Sequence, residues 1–211
     1  YGPMAGHDIN YIALSGTLSC FARKGERPLP PVNLLGDFAG GGMLCAMGVV
    51  LSLFERSRSG RGQVIDSAMV DGAANLAAFL FGFRAAGLWS DEAGTNLLDT
   101  GAPFYDTYET NDGKFMSVGA IEPQFYAKLL EGLGLAADEM PHQYDRDAWP
   151  KTAARFTEVF RTRTRDEWAA IFDGTDACVA PILSLAEAPE HPHNRARGTF
   201  TRAVGGHIAP Q

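Results

Sequence analysis

Cysteine is scarce. Only Cys20, Cys45 and Cys178 occur in 211 residues, far apart and with no CxxC pair. This excludes a disulfide framework and reads as buried free thiols in a reducing compartment. Positive charge is also short: 18 Lys and Arg against 25 Asp and Glu leave a net charge of -7 and a pI near 5.2. That balance argues against a nucleic-acid footprint or a basic membrane patch. The chain has no glycine-rich phosphate loop of Walker or dinucleotide type and no internal repeat. No signal peptide is visible, and no apolar run reads as long enough to span a membrane. The opening Tyr1-Gly2-Pro3-Met4 and the loop-like Gly205 to Gln211 suggest the middle of a longer protein.

What is present is a 45% hydrophobic, 20% charged composition that can bury a substantial core. The stretch that stands out is Asn33-Leu34-Leu35-Gly36-Asp37-Phe38-Ala39-Gly40-Gly41-Gly42. It places a carboxylate at an expected loop-to-helix junction, beside free backbone N–H groups and the positive end of a helix dipole. Taken alone, the window also fits a capping Asp37 with glycines that pack the helix against a neighbour.

The pattern along the chain predicts alternating helices and strands. A helical turn over Ile12 to Ser15, stopped by Gly16, puts His7 and Asp8 near its N-terminus. Met43 to Arg56 is apolar nearly all round and reads as a buried helix. Gln63 to Asp66 reads as a short strand and Met69 to Ala86 as a second apolar helix. Met43, Met47, Met69 and Met116 read as core packing or as the lining of an adaptable acyl pocket. Gly87 to Gly101 is an irregular connection. Phe104–Thr110 and Lys114–Gly119 flank Asn111-Asp112-Gly113, a strong hairpin signal. Pro123 opens a helix to about Leu133, so Glu122 stands at a strand-to-helix corner, as a surface cap or as a functional carboxylate. Trp149 to Arg161 is amphipathic. Thr164 to Glu167 and Ser184 to Glu187 fit capping boxes, and Ala177 to Leu183 reads as a buried strand. His191, His193 and His207 lack metal-ligand spacing, and Asp173 to Asp176 reads as a turn rather than a calcium loop.

Three windows occur in a telling order: Gly6-His7-Asp8-Ile9-Asn10-Tyr11, Leu34 to Gly42, and Gly119-Ala120-Ile121-Glu122-Pro123-Gln124-Phe125. With Gly60 to Asp66, Gly101 to Tyr105 and Phe172 to Val179, they resemble the α-methylacyl-CoA racemases of the family III CoA-transferase superfamily. The resemblance runs to about Phe200. It implies an α/β fold: part of a Rossmann-like large domain over residues 1–86, a linker over 87–101, and a small α+β domain over 102–190. Residues 191–211 would lead back toward the large domain, and two subunits would interlock as a homodimer. The family's N-terminal part, with much of its CoA nucleotide contact, and its C-terminal return have no counterpart here. The segment alone is therefore expected neither to bind CoA tightly nor to be active.

Carried over residue by residue, the resemblance makes His7 the catalytic histidine, Asp37 the catalytic aspartate and Glu122 the histidine's carboxylate partner. Gly6, His7, Asp8, Ile9, Asn10 and Tyr11 become the CoA-thioester contact loop. The implied substrate is a 2-methylacyl-CoA, with no further cofactor, no metal, no nucleic acid and no membrane. The implied location is intracellular: mitochondrial or peroxisomal in a eukaryote, cytoplasmic in a bacterium. Racemisation next to a thioester suits this set, since it needs an acid/base group on each face and histidine's reference pKa of about 6.5 lies near working pH. Backbone N–H groups at Asp8 to Tyr11, or at the glycines after Asp37, are candidates to hold the enolate oxygen. The other implied chemistry is CoA transfer, in which Asp37 acts as a nucleophile. A non-catalytic dimerisation or scaffold fragment is a further possibility for this segment.

Overall fold

Helix α1 (Asp8–Leu14) begins after an extended His7 and ends before Gly16, whose φ of 82° is left-handed. The computed structural model describes residues 3–202, 206 and 208–210. Its contacts divide the chain into two units, Tyr1–Asp106 and Thr107–Gln211.

In the first unit the glycine-rich stretch is not a loop. Leu34–Met43 forms a π-helix that runs without a break into α2 (Leu44–Ser59), which Gly60 closes at a φ of 72°. The reason lies in packing rather than propensity. Backbones approach so closely that a Cβ at Gly40 would stand 2.8 Å from the Ala73 nitrogen, and one at Gly72 would collide with the Gly40 carbonyl. Only glycine on both sides permits this. The partner helix is α3 (Met69–Leu76), and the expected single helix to Ala86 is broken at Ala77 before α4 (Ala78–Ala85). Ile12 and Ala73 lie fully buried in this unit, and the Thr17 hydroxyl donates to the Ala73 carbonyl.

Three expectations for this unit change. The helix α2, read as buried, has no buried residue; Met47, Val50, Leu51, Leu53 and Phe54 are all more than half exposed. Apolarity on every face marks what a helix can bury, and here only its first turns have cover. Because the glycines are helical, Leu34–Ser59 is one 26-residue helix, long and apolar enough by length and composition to cross a bilayer. A helix starting only at Met43, as the glycines suggest in the sequence, falls short of that length. Gln63 to Asp66 is not a strand: it is unpaired among the described residues, and Val64 is almost wholly exposed. The irregular connection after α4 is ordered by polar contacts. Asp99, itself buried, accepts the backbone N–H groups of Gly94 and Asn96 and the Asn96 amide.

In the second unit the hairpin forms as read. Strands β1 (Tyr105–Glu109) and β2 (Phe115–Gly119) meet at a turn where Gly113 has a φ of 70° and the Thr110 N–H donates to the Lys114 carbonyl. The third strand, β3 (Val179–Pro181), pairs antiparallel with β2, Val118 opposite Val179. It is shorter and more exposed than the buried Ala177–Leu183 strand expected, because Cys178 just before it turns through a φ of 52°. Helices α5 (Pro123–Leu133), α6 (Trp149–Phe160) and α7 (Arg165–Phe172) complete the core of this unit. Tyr108 stacks on Phe160 at 5.0 Å, and Phe160 meets Trp168 edge-on at 5.3 Å. Met116 is fully buried with them. Beyond lie α8 (Pro192–Arg197) and strands β4 (Phe200–Arg202) and β5 (Ile208–Pro210), which pair antiparallel where loop was expected. The cysteines are free, but Cys45 and Cys178 are exposed and Cys20 is half-buried, so they are not the buried thiols expected.

Both expected capping boxes form, and one feeds an ion cluster. Arg165, 5% exposed, donates to both Glu187 oxygens at 2.9 Å, to Asp166 and to the Ile182 carbonyl. The Arg165 guanidinium, and next the Ser184 N–H, hold the Glu187 carboxyl well below the usual carboxylate range. A depressed folded-state pKa contributes stability that is present above the unfolded value, about 4.3, and lost as pH falls toward the folded one. Urea midpoints measured from pH 7 downward should therefore show Glu187→Gln less stable than wild type at neutral pH. The gap should narrow below about pH 4.3. A gap independent of pH would mean that the ion pair contributes nothing.

Candidate active site

The site residues of the first unit are gathered by one buried carboxylate. Asp8 opens α1 and is 4% exposed. Its Oδ2 accepts the Gly36 N–H at 2.6 Å and the Asp37 N–H at 2.8 Å. These are donors that the start of the π-helix leaves without helical partners, and a carboxylate there also meets the positive end of the helix. A Cβ at Gly36 would stand 2.7 Å from the same oxygen, so glycine is required for the contact. Asp8 thus ties the residue that follows His7 to the backbone of Asp37. Its Oδ1 is buried and has no hydrogen-bond partner among the described residues.

His7 caps α1 from outside with an exposed side chain, and its backbone N–H donates to Asn10 Oδ1 at 3.1 Å. Tyr11 lies over Gly6, where a Cβ would be 2.9 Å from its hydroxyl. Asp37 is exposed in the first turn of the π-helix, and its Oδ2 accepts the Asn33 side-chain amide at 2.9 Å. Asn33 was not singled out in the sequence. Its signal is the spacing to Asp37, four residues on one helical face. The three glycines cannot serve as free donors to an enolate as first supposed, because they lie inside the π-helix. That leaves the start of α1 among the two candidates.

Glu122 belongs to the other unit. It is the N-cap of α5, extended at φ -74° and ψ 144°, with Pro123 at the first helical position. Its exposed side chain makes no capping hydrogen bond, so the surface-cap reading does not account for it. Burial and then the Glu122 charge push the nearby Cys178 thiol up. Among the described residues no three His, Cys, Asp or Glu side chains converge as metal ligands; His207 lies outside them.

This arrangement, an exposed acid on a helical glycine turn braced by the helix that follows an exposed histidine, sits in a chain that belongs to CoA-transferase family III, whose model matches residues 1–210. The chain is 58% identical over 200 residues to α-methylacyl-CoA racemase of Mus musculus, covering 95% of this chain and 52% of that protein. It is 53% identical over 208 residues to the Homo sapiens racemase, covering 99% and 54%. The chain thus spans about half the length of the curated relatives it matches. A solved CAIB/BAIF family protein from Brucella suis superposes with a TM-score of 0.75 at 21% identity, over 100% of this chain and 56% of that one. The mixed α/β fold is that of the family.

Proposed function

We propose that the full-length protein interconverts the (2R) and (2S) epimers of 2-methylacyl-CoA thioesters, with His7 and Asp37 as the two acid/base groups. The observation that carries the reading is the Asp8 bracket, which joins the His7 end of α1 to the Asp37 backbone at 2.8 Å. The identity to two α-methylacyl-CoA racemases supports it. One group removes the proton from the α-carbon, and the electron pair moves onto the thioester oxygen as an enolate. The other group returns a proton to the opposite face, and the enolate collapses back to the thioester. No redox change occurs. A backbone N–H at the start of α1 stabilises the enolate oxygen by on the order of 3 kcal/mol. Glu122 is the third catalytic residue, the carboxylate that the family pattern assigns to orienting the histidine. The protein works as an intracellular homodimer, and the exposed apolar faces of α2 and α4 support an assembly that covers them.

The other reading is CoA transfer through an acyl anhydride on Asp37, for which the exposure of that carboxylate is sufficient. Transfer has no evident use for His7, and this favours the racemase. NMR of a single 2-methylacyl-CoA epimer in D₂O with the full-length protein separates the two. Deuterium at the α-carbon with both epimers accumulating is expected. CoA moving to an added carboxylate, with no deuterium incorporated, would instead make Asp37 a nucleophile.

A further inference from the structure

The corner that carries Glu122 is held by side chains from a distant segment. Gln143 is 7% exposed, and its amide Nε2 donates to two successive carbonyls, Ala120 at 3.0 Å and Ile121 at 2.7 Å. The Tyr144 hydroxyl donates to the same Ile121 carbonyl at 2.7 Å. Gln143 is itself anchored: the buried Trp149 indole donates to its backbone carbonyl at 2.9 Å, and Arg146 lies over that indole at 5.2 Å. On the strand side, the Gly119 N–H donates to the Cys178 carbonyl at 2.9 Å. The two peptide carbonyls immediately before Glu122 therefore take three side-chain donors between them. A surface corner that only joined a strand to a helix would have water available for those carbonyls. A buried amide with both donors spent on consecutive carbonyls fixes the direction in which the chain enters Glu122. The Glu122 side chain has no capping bond of its own to orient it.

We propose that Gln143, assisted by Tyr144, is a positioning residue for Glu122, holding the Ala120–Glu122 backbone so that the carboxylate is presented in one fixed direction for its catalytic role. The proposal rests on the racemase reading of Glu122. Gln143 touches no reacting atom and acts only through the corner.

The test is a double-mutant cycle in the full-length protein. Glu122→Gln is expected to slow α-proton exchange without abolishing it. Gln143→Met keeps the bulk and removes both donors, and should lower kcat roughly 10- to 100-fold with KM unchanged, the cost of a misplaced group. Tyr144→Phe, at a more exposed position, should show a smaller loss in the same sense. In the Glu122→Gln background, Gln143→Met should cost no more than about twofold further, because coupled groups do not add. An equal loss in both backgrounds would overturn the proposal, since Gln143 would then act on the fold at large. Amide hydrogen exchange supplies a readout independent of activity. Gln143→Met should speed exchange at Ile121 and Glu122 while β2 stays protected, and unchanged exchange there would also overturn it. If the wild-type protein neither exchanges deuterium nor epimerises, the racemase reading fails by itself, and the amide exchange still reports whether the clamp exists.

Discussion

Asp37→Asn and His7→Ala should each slow epimerisation of a 2-methylacyl-CoA by about 10²–10⁴-fold in the full-length protein, the usual contribution of a positioned acid or base. The argument is about faces. Inversion at the α-carbon needs proton removal on one side and delivery on the other, so neither group can serve for both. Asparagine keeps the size of Asp37 and can still accept from Asn33, whose amide donates to Oδ2 at 2.9 Å. A loss in Asp37→Asn therefore reports lost proton transfer rather than a collapsed turn. The Asp8 bracket should survive too, because it holds the backbone N–H of Asp37 and not its side chain. The two variants should differ from an inactive fold in a further respect. Each retains the other base, so slow deuterium exchange at the α-carbon without change of configuration should persist in both. Epimerisation in D₂O within about threefold of wild type in either variant would refute the two-base assignment.

How far the sequence could be read depended on the range of the forces involved. The β1–β2 hairpin, the Pro123 start of α5 and the Thr164–Glu167 box were legible because each is set within a few residues. Asn-Asp-Gly supplies a left-handed turn, proline a fixed φ, and a Thr–Glu pair its own reciprocal bonds. The π-helix was not. Its glycines read locally as loop, and what makes them helical is Gly72, thirty-two residues beyond Gly40. For the same reason the two readings of the Asp37 window were not alternatives. Gly40 packs against a neighbour, as the structural reading held, and Asp37 is still presented to solvent. The other half of that structural reading, that Asp37 caps its helix, goes to Asp8 instead, which accepts the Gly36 and Asp37 N–H groups. His7, Asp37 and Glu122 come together as a proposed set only through the family's pattern, since no spacing links residues 85 positions apart. The clamp on Glu122 left no signal, because a glutamine near a tryptophan is commonplace and its bonds run to backbone carbonyls of any sequence.

The close approach of two backbones makes Gly72→Ala a strongly damaging single-methyl change in the first unit. The new Cβ would meet the Gly40 carbonyl and lie 2.7 Å from the Gly40 Cα. Both obstacles are main chain, so no rotamer change relieves them, and the π-helix must move off α3. The expected cost is about 3 kcal/mol, the upper end for overpacking a core. Gly82→Ala in α4 supplies the opposite expectation from the same chemistry. Nothing lies within 4 Å of a Cβ there, so the gain in helix propensity, about 1 kcal/mol at most, should raise stability or leave it unchanged. Urea unfolding of the two variants against wild type reads both signs in one experiment. The consequence reaches function, because Gly40 and Asp37 share one π-helix. A shift of that helix by about 1 Å at Asp37 would cost on the order of 10²-fold in exchange rate, whereas Gly82→Ala should exchange as wild type does. If Gly72→Ala proved as mild as Gly82→Ala in both measurements, the π-helix would not be packed on α3 through glycine. Asp37 would then need some other explanation for its place.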